Sequence, residues 1–488
     1  MGLRLEKLPL PSKAEISALP SEDLLSLTLN WRERLEIYQE QLFKARRKRY
    51  GKSSERSSPA TDDKPSDQPP KPRDETTKRP SERYPEAPVQ VDKIELSEMP
   101  PCPCCGEMMA DSGMSEDSEY LDVKAKEFIV VEQKRSKYRC TKCHGAIVTA
   151  PVPPRVTPGG SYSDEIIVDA TVSKYCDLIP MERYCQMAAR GGLAGLPPQS
   201  LIQTSFKLAE FLAGVYQIIR NEVLEEKVLL ADETPHRMLE GDDRQRWFLW
   251  GFSSRKACFF ECHDTRSGDV SSAVLAMSLC EVLLTDVYSG YAKSVRIVNE
   301  VRTTEGRPLI KSAYCNAHAR RGFVTGDDSP DAKFMVEQYQ AVYRLEAAKG
   351  DCLERRGAMR LIFEVMRNEA DKKIHSYSSK SQLGRAYSYF LKNYQGLTVF
   401  LSNAEVPIDN NASERLLRNH VIGRKTWYGT HSVEGAKTAA VHFTIVESCK
   451  VNGVNPRHYY MEMVERIHTG ETLLTPSQYK DLLTSNTC

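Results

Sequence analysis

No run of about 18 consecutive apolar residues occurs in this sequence of 488 residues, so it offers no candidate for a membrane-spanning helix. The N-terminus also lacks the basic region, apolar core and small-residue cleavage site of a secretory signal. A large net charge is missing too: 67 Lys and Arg against 66 Asp and Glu leave +1. The 14 cysteines are sparse for a chain of this length, and four of them fall in the paired pattern of a metal site rather than a disulfide scaffold. These absences predict a cytosolic protein with reduced thiols and no membrane partner. The length predicts three or four folded units.

The near-neutral average hides an uneven distribution. Lys44 through Arg56 carries seven basic residues against one Glu, with Arg46, Arg47, Lys48 and Arg49 in succession, which suits a local polyanionic partner. This run ends a predicted helix over 13–50, in which Trp31, Leu35, Tyr38 and Leu42 follow the 4,3,4 spacing of a coiled-coil seam. The seam lasts under three heptads, so it fits either self-association, giving a homodimer or higher assembly, or packing on the same chain. Residues 51–95 are rich in Ser, Pro, Lys, Asp and Glu and poor in large aliphatics. That composition buries too little to offset the entropy of ordering and reads as a disordered linker.

Residues 96–150 carry Cys102-Pro-Cys104-Cys105-Gly106 and Cys140-Thr-Lys-Cys143-His144-Gly145. Two C-x-x-C pairs, each followed by Gly, are what a zinc ribbon needs, because each knuckle turns two thiolates onto one face of the metal. Cys102, Cys105, Cys140 and Cys143 are the predicted ligands of a structural Zn²⁺, with Cys104 and His144 as spares and strands expected over the intervening 126–140. Residues 151–225 read as helical. Met181–Arg190, the break at 191–198 and the helix from Gln199 have the cadence of helix, turn, helix. Such a pair can set its second helix in a DNA major groove, here led by Gln199, Ser200 and Gln203, although many helical hairpins never touch DNA.

From 226 the pattern changes to an α/β layout. Short apolar runs at 227–233, 246–254 and 257–264, a helical stretch near 269–280 and a further apolar run at 281–291 predict three strands, a helix and a fourth strand. Residues 326–406 read as helical, 407–465 as a closing segment and 466–488 as a tail. Asp232 and Asp286 each end a strongly apolar strand, KVLLA-Asp and EVLLT-Asp, which is where ligand-binding groups collect in open α/β sheets. Such acids suit a hard cation like Mg²⁺, and with a third carboxylate they suit two ions about 3.5–4 Å apart, as phosphodiester cleavage and strand transfer require.

Glu414, in Asp409-Asn-Asn-Ala-Ser-Glu414, is the candidate third acid, and Asp409 is its rival. Glu414 also fits a capping box with Asn411 as the N-cap. Arg415, Arg418, Arg424 and Lys425, followed by Trp427 and Tyr428, suit phosphate contact and base stacking, or else a solvated helix face. Cys315-Asn-Ala-His318 is half a metal site or a buried thiol beside a hydrogen-bonded imidazole. His236 fits either a substrate contact or a structural role.

Taken in order, Asp232-Glu233-Thr234-Pro235, Thr285-Asp286-Val287-Tyr288-Ser289-Gly290-Tyr291, Cys315-Asn-Ala-His318-Ala-Arg-Arg and Pro407-Ile-Asp-Asn-Asn-Ala-Ser-Glu414-Arg resemble the motifs of insertion-sequence 66 (IS66) family transposases. The resemblance covers nearly the whole chain. It implies a multidomain α/β protein: a ribonuclease H-like catalytic core interrupted by a helical insertion, preceded by a zinc ribbon and a helical DNA-binding region. It also implies an acidic triad of Asp232, Asp286 and Glu414 holding two Mg²⁺ or Mn²⁺ ions. The partners implied are double-stranded DNA, as terminal repeats and as target, and small accessory proteins of the element, in a bacterial cytoplasm and nucleoid. The spacing fits an insertion: 53 residues separate the two aspartates and 127 separate Asp286 from Glu414. Val287 stands where the family has Gly, and Asn316-Ala317 where it has an aromatic; neither departure removes an acid. The expected activity is metal-dependent strand cleavage and strand transfer. A silent DNA-binding derivative and a junction nuclease of the same fold are the alternatives.

Overall fold

The computed structural model describes residues 20, 79–85, 87–91, 101, 104–105, 107–108, 118–122, 126–141, 147–239, 246–325 and 329–485. The predicted N-terminal helix, its seam and Arg46, Arg47, Lys48 and Arg49 lie outside the described residues, as do Cys102 and Cys143. The chain divides into two compact units, Lys52–Val130 and the remainder. In the smaller unit, Pro80–Arg83 form one helical turn, where Ser81 donates from its backbone N and its Oγ to Glu119 at 2.9 and 3.0 Å. A bridge between Pro101 and Met108 brackets Cys104 and Cys105.

The first strands described in the larger unit form a hairpin of β1 (Lys137–Arg139) and β2 (Ile147–Thr149), paired antiparallel with Lys137 opposite Thr149. The strands expected over 126–140 shrink to β1 alone. Alternating apolar residues hold an extended segment in a sheet only where another layer buries one face, and Ile129, Val130 and Val131 are all exposed. Helices α1 (Asp164–Tyr175), α2 (Met181–Arg190), α3 (Pro198–Phe211) and α4 (Ala213–Leu224) follow. Ser163 caps α1 by accepting from Ile166 N, with Asp164 and Glu165 in the first turn complementing the helix dipole.

The centre is a five-stranded sheet of β3 (Val228–Arg237), β4 (Arg246–Ser253), β5 (Cys258–His263), β6 (Val282–Thr285) and β7 (Lys311–Tyr314), in the order β5-β4-β3-β6-β7. The first three strands form an antiparallel meander, and β6 and β7 run parallel to β3. Parallel neighbours need crossovers, and α5 (Gly268–Met277) and α6 (Ser289–Glu305) supply them. The sequence reading carries a strand through 281–291, but β6 stops at Thr285 and Ser289 already opens α6. It also misses β7, of whose four residues only Ala313 is fully buried.

Alternation along β3 separates two faces. Leu229 and Ala231 join one core with Trp250, Phe252 and Leu283, while Leu230, Leu284 and Ala313 join the other. This second core is filled by α7 (Asn316–Val324), α8 (Pro330–Ala347), α9 (Cys352–Lys373) and α10 (Gln382–Lys392), whose Phe323, Tyr339, Phe363 and Phe390 are fully buried edge to face. The chain returns through α11 (Tyr394–Leu397) to α12 (Asn411–Trp427), α13 (Val433–Asn452), α14 (Pro456–Thr469) and α15 (Pro476–Ser485). The segment read as a tail thus holds a helix with Tyr479 buried against Tyr459. Among the described residues no helix is long and apolar enough to cross a membrane.

Helix α12 ends on Tyr428 in the left-handed region, φ 68°, and Gly429 follows at φ 128°. A Cβ on Gly429 would sit 2.1 Å from the carbonyl oxygen of Arg237, so glycine is what lets Thr430 pair with the end of β3. Tyr428 is 65 % exposed; its strained backbone gains little from its ring. Replacing Tyr428 by Gly is expected to raise stability by about 1 kcal/mol, and Gly429→Ala to lower it by several. Urea midpoints check both, and an unperturbed Gly429→Ala would refute the close approach.

Candidate active site

The pairing of β3 with β6 sets the first two acids. Leu230 lies opposite Leu284 in parallel register, so Asp232 falls on the face of β3 that carries Leu230, and Asp286, the residue after the end of β6, is near enough for its charge to act on it. Asp232 pairs across β4 with Gly251, where the missing side chain leaves room for the Phe260 ring of β5: a Cβ there would meet that ring at 2.9 Å, and Leu417 of α12 at 3.4 Å. Asn410, at the N-cap of α12, donates from Nδ2 to the Ala231 carbonyl at 3.0 Å and from its backbone N to Cys315 Sγ at 3.2 Å. One side chain therefore ties the start of α12 to the residue before Asp232, and Glu414 sits one turn on. Cys315 N in turn donates to the Thr285 carbonyl beside Asp286 at 2.9 Å.

The capping-box reading of Glu414 fails on this geometry. The N-cap is Asn410 rather than Asn411, it makes no side-chain cap bond, and Glu414 Oε1 is buried with no hydrogen-bond partner. Asp409, the rival ligand, is occupied: its carboxylate accepts from Tyr343 Oη at 2.9 Å, Asn411 N at 3.1 Å and Asn411 Nδ2 at 2.8 Å.

The acids near Asp232 divide sharply. Glu233, on the opposite face, is held by Arg266 at 2.6 Å and by the Tyr291 hydroxyl at 2.5 Å, with the Tyr288 ring stacked 4.2 Å from that guanidinium. The sequence reading misses this network, because its parts are scattered along the chain. Asp232 has no such cation. Burial, then the charges of Glu233, Asp286 and Glu414, pushes its carboxyl up to about 7. Asp286 Oδ1, like Glu414 Oε1, is buried without a donor. Acceptor atoms buried without partners cost free energy; Arg266, held by Glu233, also feels the Asp286 charge, and among the described residues the ligand atoms close enough to share one ion are those of Glu414, Cys315 and His318 rather than of the two aspartates.

Beside Glu414 stand Cys315 and His318, whose ligand atoms lie within 4.8 Å of one another and of a Glu414 oxygen. Cys315 is buried, its thiol pushed up to about 11 by that burial, in keeping with the buried-thiol reading. His236 proves structural: its Nδ1 meets His420 Nε2 at 3.2 Å and its Nε2 meets Thr430 Oγ1 at 2.7 Å, joining β3 to α12.

Of the cations proposed on α12, Arg415, Arg418 and Lys425 share one exposed face, whereas Arg424 is half-buried toward His236. Trp427 packs into the core near Tyr175, 6.4 Å between centroids, leaving Tyr428 as the exposed aromatic. On α3, Gln199 and Gln203 are exposed and Ser200 is half-buried, while Leu201, Ser205 and Leu208 anchor the other face. Cys105 and Cys140 are both exposed.

The sequence profile of the Transposase IS66 family matches residues 159–438. That of the zinc-finger binding domain of transposase IS66 matches residues 101–144, a span holding both C-x-x-C pairs. Two relatives from Sinorhizobium fredii (strain NBRC 101917 / NGR234) align over most of their length. Uncharacterized protein y4jD is 28 % identical over 419 residues, 81 % of this chain and 80 % of the relative. Uncharacterized protein y4hP is 25 % identical over 422 residues, 80 % and 75 % respectively.

Proposed function

This chain belongs to the transposase IS66 family, and on that premise we propose that it cleaves DNA at the ends of its insertion sequence and joins those ends to target DNA, using Asp232, Asp286 and Glu414 to hold two Mg²⁺ or Mn²⁺ ions. The observation that carries the reading is that Asp286, past the end of β6, and Glu414, on α12, both act with their charge on Asp232 in β3, while Asp286 Oδ1 and Glu414 Oε1 are buried without a hydrogen-bond partner. The strand order, a meander of three followed by two parallel strands, supports a ribonuclease H-like core, and the α8–α11 helices within 326–406 support the helical insertion.

Divalent ions at this position would lower the pKa of an attacking water or hydroxyl and stabilise the leaving oxygen. The protein's own share is placement. Asn410 holds the Glu414 helix against β3, and Arg415, Arg418 and Lys425 offer a line of cations to the phosphates. Water first attacks the phosphodiester at the element end and expels a 3′-hydroxyl. That hydroxyl then attacks a target phosphodiester, forming one P–O bond as another breaks. The exposed Gln199 and Gln203, leading the second helix of a helix–turn–helix, are assigned to the DNA major groove.

Incubating the protein with DNA carrying the element ends tests this. Nicked and joined products that require Mg²⁺ or Mn²⁺ are expected. Cleavage without joining would indicate a junction nuclease, and binding without either reaction a silent derivative. For the ribbon, Cys102, Cys105, Cys140 and Cys143 are assigned to one structural Zn²⁺. About one zinc per chain is expected, falling to well under half in Cys140→Ser; full zinc content in that variant would exclude the assignment.

A further inference from the structure

We infer that His318 is a direct ligand of the divalent ion held by Glu414, so that this ion sits on an imidazole as well as on carboxylate. The inference rests on the metal reading above. His318 Nδ1 lies 3.7 Å from Glu414 Oε1, beyond the roughly 2.7–3.2 Å of an N–H···O bond. Both atoms are buried, and neither has a hydrogen-bond partner. Ligand distances of about 2.0–2.2 Å set two donors of one ion roughly 3–4 Å apart, which is the spacing found. Each side chain is about a third exposed, 32 % and 33 %, so the pair lies at the edge of the core although the two facing atoms are themselves buried.

The backbone fixes this pairing. Asn316, at the start of α7, donates through Nδ2 to the Leu397 carbonyl at 2.9 Å and the Ile408 carbonyl at 3.0 Å, and its backbone N also reaches Ile408 at 3.3 Å. Cys315 N is tied to β6 beside Asp286. His318 is thus held between the strand end that carries Asp286 and the segment leading into α12. Cys315 Sγ is also close, but it accepts the Asn410 N–H and, as a soft donor, does not compete for a hard cation. It lines the site. A protonated His318 paired with Glu414 is the competing account, and it predicts no metal–nitrogen bond.

Pulsed electron paramagnetic resonance on the full chain, bound to duplex DNA and loaded with Mn²⁺, separates the two. A nitrogen hyperfine coupling from a coordinated imidazole is expected in the unsubstituted protein, lost in His318→Gln and in Glu414→Gln, with Mn²⁺ affinity at that site falling tenfold or more. Bound Mn²⁺ without nitrogen coupling would overturn the inference and leave the carboxylate reading standing. Coupling that persists in either variant would overturn it as well. No Mn²⁺ binding at all would remove the metal reading and the inference together. The unsubstituted spectrum needs no variant to fold.

Discussion

Asp232→Asn is expected to abolish strand cleavage, by three orders of magnitude or more, while leaving the fold and the affinity for duplex DNA intact. The amide has the carboxylate's shape and keeps an oxygen to accept the Glu233 N–H, a bond of 2.9 Å, so the strand end is not disturbed. It removes the charge that would draw an ion between β3 and β6. Losing several kcal/mol of transition-state stabilisation corresponds to a loss of about 10³ in rate. Asp286→Asn and Glu414→Gln should behave alike, because residues that hold one ion pair act as a unit. Asp409→Asn supplies the contrast. Its carboxylate serves Tyr343 and Asn411, so it should cost about 1 kcal/mol of stability and less than a tenfold loss of rate. Gel assays of nicking and joining, with equilibrium DNA binding alongside, give the readout. Asp232→Asn retaining cleavage within tenfold, or Asp409→Asn matching it, would sink the triad.

How far the sequence reaches into this site follows from where the information lies. Asp232 and Asp286 are legible because each closes an apolar run of strand length, and a parallel pair puts such ends at one edge. The helical character of 164–224 and the pair Met181–Arg190 and the helix from Gln199 are legible from periodicity and from the break at Gly and Pro, whereas the boundaries of the other two helices are not. Glu414 is not legible from its neighbours, since Asn411-x-x-Glu414 is as good a cap as a ligand. What fixes its place is Asn410, whose amide reaches a strand 179 residues earlier. The ties from Cys315 to β6 and Asn410 are equally non-local, so the C-x-x-H segment looks like a fragment of a zinc site until α12 is set beside it. β7 is lost for a different reason. A strand of four residues, only one of them fully buried, carries too little alternation to register.

Acidification should unfold the protein through three histidines that the chemistry does not use. His442 is fully buried between α3 and α13: its Nε2 donates to the Ser205 carbonyl at 2.9 Å, which leaves Nδ1 to accept from the Tyr460 hydroxyl at 2.8 Å. Burial pushes it down to about 4, and Lys174 opposes its charge further. The Tyr175 ring lies tilted against the same imidazole, 4.8 Å between centroids, and carries no negative charge to pair with a proton there. His236 is likewise pushed down to about 4 by burial and by Arg424. Its partner His420, packed edge-on to Phe443, is pushed well down by burial, His236 and Arg424. Two imidazoles 3.2 Å apart cannot both be charged. Each folded pKa lies below the unfolded value near 6.5, so the unfolded chain binds more protons between the two. The stability is complete above about pH 6.5 and is lost as pH falls through 4. For His236 and His442 the shift amounts to about 3 kcal/mol each, a sizeable part of a stability of roughly 5–15 kcal/mol. Urea melts from pH 7.5 to 4.5 should show this loss, and His442→Gln, which keeps one donor and one acceptor but cannot titrate, should remove its share of the slope. The helix led by Gln199 would loosen first, because His442 is its tie to α13; hydrogen exchange in α3 that stays flat across that range would refute the account.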